Sequence, residues 1–250
     1  MDKQFKFEFP YQVNPKYGVT TAYFSMEFAL DQALKIYSGG LGFLAGSHMR
    51  SVYDLKQPVI GIGMLWKKGY YDQIRKADKS MEVLFQEKIY SFLEDIDLTF
   101  DIVVDNHQVK LKAFYLHPEV FGTAPIFLLS TDLPENDYLA QTTTHRLYDS
   151  NTSTRIAQYI VLGLGGAKLL DLLNIRPDIY HLNEAHALPA AFHLYQKFGS
   201  LEEVRKHLVL TTHTPEQAGN ETHEFSLLEK MGFFGEVDVS TIREISGVEG

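Results

Sequence analysis

Three clusters of polar and glycine residues in this sequence are of types that could do chemistry. The first joins Glu27, in Ser25-Met26-Glu27-Phe28, to the turn Tyr37-Ser38-Gly39-Gly40-Leu41-Gly42. The second is Asn183-Glu184-Ala185-His186, and the third is His213-Thr214-Pro215. After the glycine turn, Leu41, Leu44, Ala45, Met49, Val52 and Leu55 recur at spacings of three and four, which predicts a helix. Glycine permits positive φ and lets backbone come close to a ligand. A helix start offers unpaired N–H groups and the positive end of the macrodipole. A glycine turn feeding a helix therefore suits an anion, a phosphate or a sugar phosphate. The alternative is that Gly39 and Gly40 only shape a tight turn.

The acidic and histidine residues admit two readings each. Glu27 leaves a predicted core strand at its C-terminal end, where α/β sheets place chemistry. By position alone the preferred reading is a solvated loop carboxylate. His181, Glu184, His186 and His213 include metal-ligating types. However, His-x-x-Glu-x-His across a strand-to-helix junction does not set two imidazoles on one helix face. A histidine hydrogen-bonded to sugar hydroxyls fits His186 and His213 better, and His181, inside a strand, reads as a core histidine. Gly40-x-Gly42-x-x-x-Gly46 is a poor dinucleotide fingerprint. About fourteen residues separate Gly39 from Phe24, and no acidic residue ends the next strand.

These residues need elements to position them. Lys3 to Phe9 alternates polar residues with Phe5, Phe7 and Phe9, as an edge strand or a packed arm ended by Pro10. Val19–Phe24, Pro58–Leu65, Asp178–Leu182 and Leu208–Thr212 read as buried strands separated by helical stretches, a βαβ series that implies a parallel sheet with right-handed crossovers. Gly61 and Gly63 mark a close approach of another backbone or a ligand. Trp66 to Tyr71 reads as a loop able to close over a cleft, or as an exposed turn with two solvated lysines. Residues 72–131 read as a β-rich excursion from the main sheet, with a polar hairpin turn at Asp105-Asn106-His107-Gln108. Thr154–Leu173 is a long apolar helix whose Gly163, Gly165 and Gly166 allow tight packing. Phe225–Met231 reads as a short helix, and Asp238–Gly250 carries little pattern. All three polar clusters leave C-terminal strand ends, the edge where open α/β sheets bind ligands.

Composition narrows the partners. The chain has 250 residues, 45% of them hydrophobic, a net charge of −9 and no basic run, which disfavours nucleic acid and anionic membranes. It has no cysteine, hence no disulfide framework and no thiolate metal site. No apolar run approaches a membrane span, and Met1-Asp2-Lys3-Gln4 lacks a signal peptide's apolar region, so the cytosol is the expected compartment.

Ala22-Tyr23-Phe24-Ser25-Met26-Glu27-Phe28 and Ile36-Tyr37-Ser38-Gly39-Gly40-Leu41-Gly42-Phe43-Leu44-Ala45-Gly46 resemble the N-terminal half of α-glucan (glycogen/maltodextrin) phosphorylases, nearest the short bacterial type. The resemblance continues through Thr131-Asp132-Leu133-Pro134-Glu135-Asn136, Ile160-Val161-Leu162-Gly163-Leu164-Gly165-Gly166, His181-Leu182-Asn183-Glu184-Ala185-His186 and Thr211-Thr212-His213-Thr214-Pro215. It implies an α/β fold, a Rossmann-like parallel sheet flanked by helices that forms one half of a glycosyltransferase B (GT-B) architecture. It implies phosphorolysis of α-1,4-glucan by inorganic phosphate to glucose 1-phosphate, with retention, in the complete enzyme. In catalysis it implicates Glu27 and His213, and in substrate binding Gly39, Gly40, Leu41, Glu184, His186 and Thr214, with no metal. The family's pyridoxal phosphate acts through its own phosphate, and its lysine lies in a Lys-x-x-Gly-Thr-Ser-type motif that this sequence lacks. The expected partners are therefore the glucan, phosphate, a C-terminal cofactor domain absent from this chain and, in keeping with the family, a second copy in a homodimer. Tyr159 departs from the pattern, standing where short-type relatives often carry Glu. A glycogen or starch synthase N-domain is a rival of the same fold. Synthases carry Lys-x-Gly-Gly-Leu where this chain has Tyr37. A non-catalytic glucan-binding module is a rival of another class.

Overall fold

The computed structural model describes residues 5–213, 216 and 221–247. The elements run β1 (Thr21–Phe24), α1 (Gly40–Asp54), β2 (Val59–Met64), β3 (Asp72–Arg75), β4 (Met81–Leu84), β5 (Glu94–Val104), β6 (His107–Leu116), α2 (Pro118–Phe121), β7 (Ile126–Ser130), α3 (Tyr138–Thr142), α4 (Thr152–Ile160), α5 (Gly166–Leu172), β8 (Ile179–Asn183), α6 (Pro189–Phe198), α7 (Leu201–His207), β9 (Leu208–Thr211), α8 (Phe225–Met231) and α9 (Val239–Ser246). Seven strands form one sheet in the order β5-β6-β7-β2-β1-β8-β9. The β7-β2-β1-β8-β9 stretch is parallel, and β6 runs antiparallel to both its neighbours. Strand β2 is buried along its whole length, as is β7, which is what helices on both faces of a parallel sheet require.

The chain builds outward from β1 to β2 and β7, then returns to place β8 on the other side of β1. The reversal makes the β1/β8 edge the topological switch point, where the carboxyl ends of neighbouring strands leave a crevice. Two of the polar clusters leave the sheet there, and β9 brings the third alongside.

Several expectations change in detail. Only β3 and β4 form a separate ribbon; β5 and β6 extend the main sheet, so the excursion ends earlier than residue 131. Their turn is two residues long, Asp105-Asn106, and both residues have the positive φ of a tight hairpin. Ring contacts seat the Phe5-Phe7 arm on Tyr115 and Phe127, and it forms no strand. Gly61 and Gly63 make room for side chains rather than for a backbone or ligand: a Cβ would lie 2.8 Å from Ile126 and 2.8 Å from Phe28, respectively. The long apolar helix is continuous from α4 to α5 through one π turn at Val161–Gly165. Its glycines pack as tightly as expected, since a Cβ on Gly163 would meet the Ala187 carbonyl at 2.8 Å. The Trp66–Tyr71 loop is anchored rather than free to close. Trp66 is fully buried with Nε1–H donated to the Met26 carbonyl (2.9 Å), and Lys67 pairs with Asp132 (2.9 Å). Residues 239–246, where little pattern was read, form α9, capped by the Asp238 side chain and held by buried Ile242.

Candidate active site

Glu27 is 2% exposed, so it is not a solvated loop carboxylate. Its Oε2 accepts the Ser38 N–H (2.5 Å) and the Gly39 N–H (3.2 Å), and its Oε1 accepts the Tyr148 hydroxyl (2.9 Å). The carboxylate thus holds the glycine turn from beneath. Burial, then the nearby Glu27 charge, pushes the Tyr148 phenol pKa up, keeping it a donor. Sequence reasoning missed Tyr148 because 121 residues separate the partners.

Above the carboxylate, α1 starts at Gly40 with no side-chain cap and no acidic residue in its first turn. Its leading N–H groups are left for a ligand or solvent. Neither Gly39 nor Gly40 has positive φ, so the turn does not need glycine for its dihedrals. Among the described residues a Cβ on either would meet nothing within 4 Å. Gly42 and Gly46 differ: a Cβ would lie 2.7 Å from the Glu27 carboxylate and 2.1 Å from the Ala29 carbonyl, respectively.

The ends of β8 and β9 form the opposite wall. Glu184 has φ 65° and ψ 172°, a conformation that L residues rarely occupy and that costs on the order of 1–3 kcal/mol. It is held there by its N–H to the Thr211 carbonyl (2.8 Å) and by its Oε1, which accepts the His213 N–H (2.7 Å). His213 Nε2 lies 2.8 Å from Asn183 Oδ1, Asn183 Nδ2 donates to Ser25 Oγ (3.1 Å), and Ser25 Oγ donates to the Glu27 carbonyl (2.8 Å). Since the Asn183 oxygen can only accept, the His213 proton sits on Nε2 and Nδ1 is an acceptor. The buried part of this chain, Asn183, Ser25 and Glu27, ties the β1 and β8 ends into one unit, with His213 exposed at its outer end. His181 stays in the sheet, bonded to Thr211 Oγ1 at 2.7 Å, as a core histidine. Among the described residues no group of three or more His, Asp or Glu side chains is placed to hold a metal.

Between these walls lies a cavity of about 660 Å³. Gly40, Leu41, Glu184, His186 and His213 line it, together with Tyr159 of α4. Gly40, Leu41, Glu184 and His186 of the predicted binding residues therefore meet in one place with His213, whereas Gly39 precedes the helix and does not line the cavity. Glu27 does not line it and acts through the turn, and Thr214 lies outside the described residues. Arg155, Glu221 and His223 were not anticipated. Arg155 pairs with Glu221, whose other carboxylate oxygen accepts from His223 Nε2 at 3.0 Å.

Burial lowers the His186 pKa from 6.5 to about 4. The unfolded chain therefore binds an extra proton between those values, and stability falls as pH drops through that window. Between pH 7 and pH 5 this one group removes on the order of 2 kcal/mol. His186→Gln should lose correspondingly less stability than the unaltered protein when urea midpoints are compared at the two pH values. Equal losses would show that His186 does not titrate in this way.

The fold and the switch-point crevice define a mixed α/β domain of the GT-B type. A structural neighbour, the catalytic domain of starch synthase IV from Arabidopsis thaliana bound to ADP and acarbose, matches 79% of this chain and 34% of its own with TM-score 0.53 at 15% identity. By sequence the chain is a homologue of glycogen and maltodextrin phosphorylases. It is 36% identical over 233 residues to the maltodextrin phosphorylase of Thermococcus litoralis (86% of this chain, 28% of that protein). It is 30% identical over 249 residues to the glycogen phosphorylase of Aquifex aeolicus (92% and 36%). An uncharacterized protein of Methanocaldococcus jannaschii is 50% identical over 228 residues (91% and 43%). The chain thus spans less than half the length of these relatives, and no family model matches it. Among the described residues no helix is long and apolar enough to cross a membrane.

Proposed function

We propose that this chain is the glucan- and phosphate-facing part of an α-1,4-glucan phosphorylase, which transfers the non-reducing-end glucose to inorganic phosphate and releases glucose 1-phosphate. The observation that carries the reading is the bare turn at Gly39-Gly40. Neither positive φ nor packing against the described residues calls for glycine there, whereas close approach of an anion to the α1 amides does. In this reading the Gly40 and Leu41 N–H groups hold the phosphate and Glu27 keeps them aimed. His213 and Glu184 orient the sugar from the β8–β9 side. His213 Nδ1 can accept from a sugar hydroxyl, and the cavity walls position the sugar beside the α1 amides. A pyridoxal phosphate would supply an acid–base phosphate beside the substrate's own. The uncapped turn offers amides suited to that anionic pair, and the cofactor's lysine would come from sequence outside this chain. A cytosolic location and a homodimer belong to the same proposal.

The test uses the full-length protein with maltodextrin and phosphate. Release of glucose 1-phosphate is expected, and dependence on a nucleotide sugar would point to a synthase instead. Gly40→Ala should lower turnover or phosphate affinity at least tenfold, because a methyl then stands where the anion approaches. Its melting temperature should stay within about 2 °C of the unaltered protein, since the Cβ meets no described residue. Near-normal kinetics would mean that no anion approaches Gly40 and would overturn the phosphate assignment.

A further inference from the structure

Two side-chain polar atoms of residues that line the cavity are buried and have no hydrogen-bond partner of good geometry among the described residues: the Tyr159 hydroxyl, which has the Arg155 side chain beside it, and His186 Nδ1. Buried polar groups in folded proteins are nearly all paired, so two orphans facing one cavity call for an explanation. Tyr159 is 5% exposed and is the penultimate residue of α4, two positions before the π turn, a helix irregularity frequent at functional sites. Its ring centroid lies 5.3 Å from that of His186, and the Tyr148 ring flanks the same imidazole at 5.8 Å. Arg155, one turn earlier on α4, has a buried Nε that is also unpartnered, while its terminal nitrogens face Glu221.

We propose that Tyr159 and His186 form a subsite for a single ligand hydroxyl, which makes Tyr159 a specificity-determining contact. An alcohol oxygen is both donor and acceptor, so it accepts from the phenol while donating to a bare Nδ1, or accepts from Nδ1–H if the other tautomer is present. A carboxylate has no proton to give a bare Nδ1, so with that tautomer it would leave the imidazole unpaired where an alcohol would not. Glu221 already answers the positive charge of Arg155, which further disfavours an anion. The inference rests on the reading of the cavity as a glucan site and names the side chains that would select for a hydroxyl there. It also accounts for an aromatic residue at position 159, which packs in the core and lines the cavity.

Tyr159→Phe in the full-length protein is the test, with maltopentaose as probe in titration calorimetry and thermal unfolding as the second readout. Removing the phenol should weaken maltopentaose binding about tenfold. It should also leave the melting temperature of the free protein unchanged or raise it by about 2–4 °C, because an unpaired buried hydroxyl is gone. Binding equal in the two proteins would overturn the subsite alone. A lowered melting temperature together with weaker binding would assign Tyr159 to packing and also overturn it. Loss of affinity for inorganic phosphate with maltopentaose affinity unchanged would replace the hydroxyl with an anion. If the unaltered protein bound no maltopentaose, the glucan reading would fall and the subsite with it.

Discussion

Glu27→Ala is expected to cost about 3 kcal/mol of stability and to lower maltodextrin turnover by the full-length protein about a hundredfold, while Glu27→Gln keeps most of both. Alanine leaves the Ser38 and Gly39 N–H groups and the Tyr148 hydroxyl without their acceptor, in a site that is 2% exposed. Each buried orphan costs about 1–3 kcal/mol, and water entering the gap recovers part of the sum. The glycine turn then loses the support that aims its amides. Glutamine is different because its carbonyl oxygen can take the two backbone donors while its NH₂ donates to the Tyr148 oxygen. Urea unfolding and glucose 1-phosphate release would be measured side by side. A glutamine variant that folds like the unaltered protein but is as inactive as the alanine variant would show that the negative charge acts in the chemistry itself.

Gly46→Ala should lower stability by about 3 kcal/mol and the melting temperature by about 10 °C. A Cβ there would stand 2.1 Å from the Ala29 carbonyl oxygen, and that neighbour is backbone, which cannot swing aside. Helix α1 is tied to the same segment by the Ala29 N–H to the Gly42 carbonyl (2.9 Å). Relief of the clash must therefore lift α1 away from the segment after β1 and tilt the turn with it. Thermal unfolding of Gly46→Ala beside Gly40→Ala separates the two kinds of glycine, since the latter methyl points into open space. Equal melting temperatures would mean that the α1 contact yields without cost.

Much of the architecture was legible because it rests on local pattern. A short apolar run bounded by Pro58 and Lys67, such as Val59–Met64, reads as a strand buried on both faces, and the three-and-four spacing after Gly39 reads as a helix laid against the sheet. Alternating strand and helix then dictate parallel pairing, and parallel pairing gathers the strand ends carrying Glu27, Glu184 and His213 at one edge. The hairpin at Asp105-Asn106 was equally local, a polar pair between two alternating runs. By contrast, the helix at residues 239–246 is short and has few apolar positions, although its cap, Asp238 accepting the Ser240 N–H, is a local signal.

The sequence by itself determined the fold class and which strand ends carry chemistry, because hydrophobic periodicity and glycine placement act over a few residues. Only the tertiary structure decided what each polar group does. Glu27 became a buried clamp because Tyr148, far along the chain, closes over it. Asn183 and Ser25 became a relay to His213 because β1 and β8 are neighbours across the switch point. Tyr159 entered the cavity wall because Gly163 lets the helix bearing it pack onto the Ala187–Ala190 backbone. Hydrogen-bond partners are chosen by distances of about 3 Å across the assembled sheet, and spacing along the chain carries no record of them.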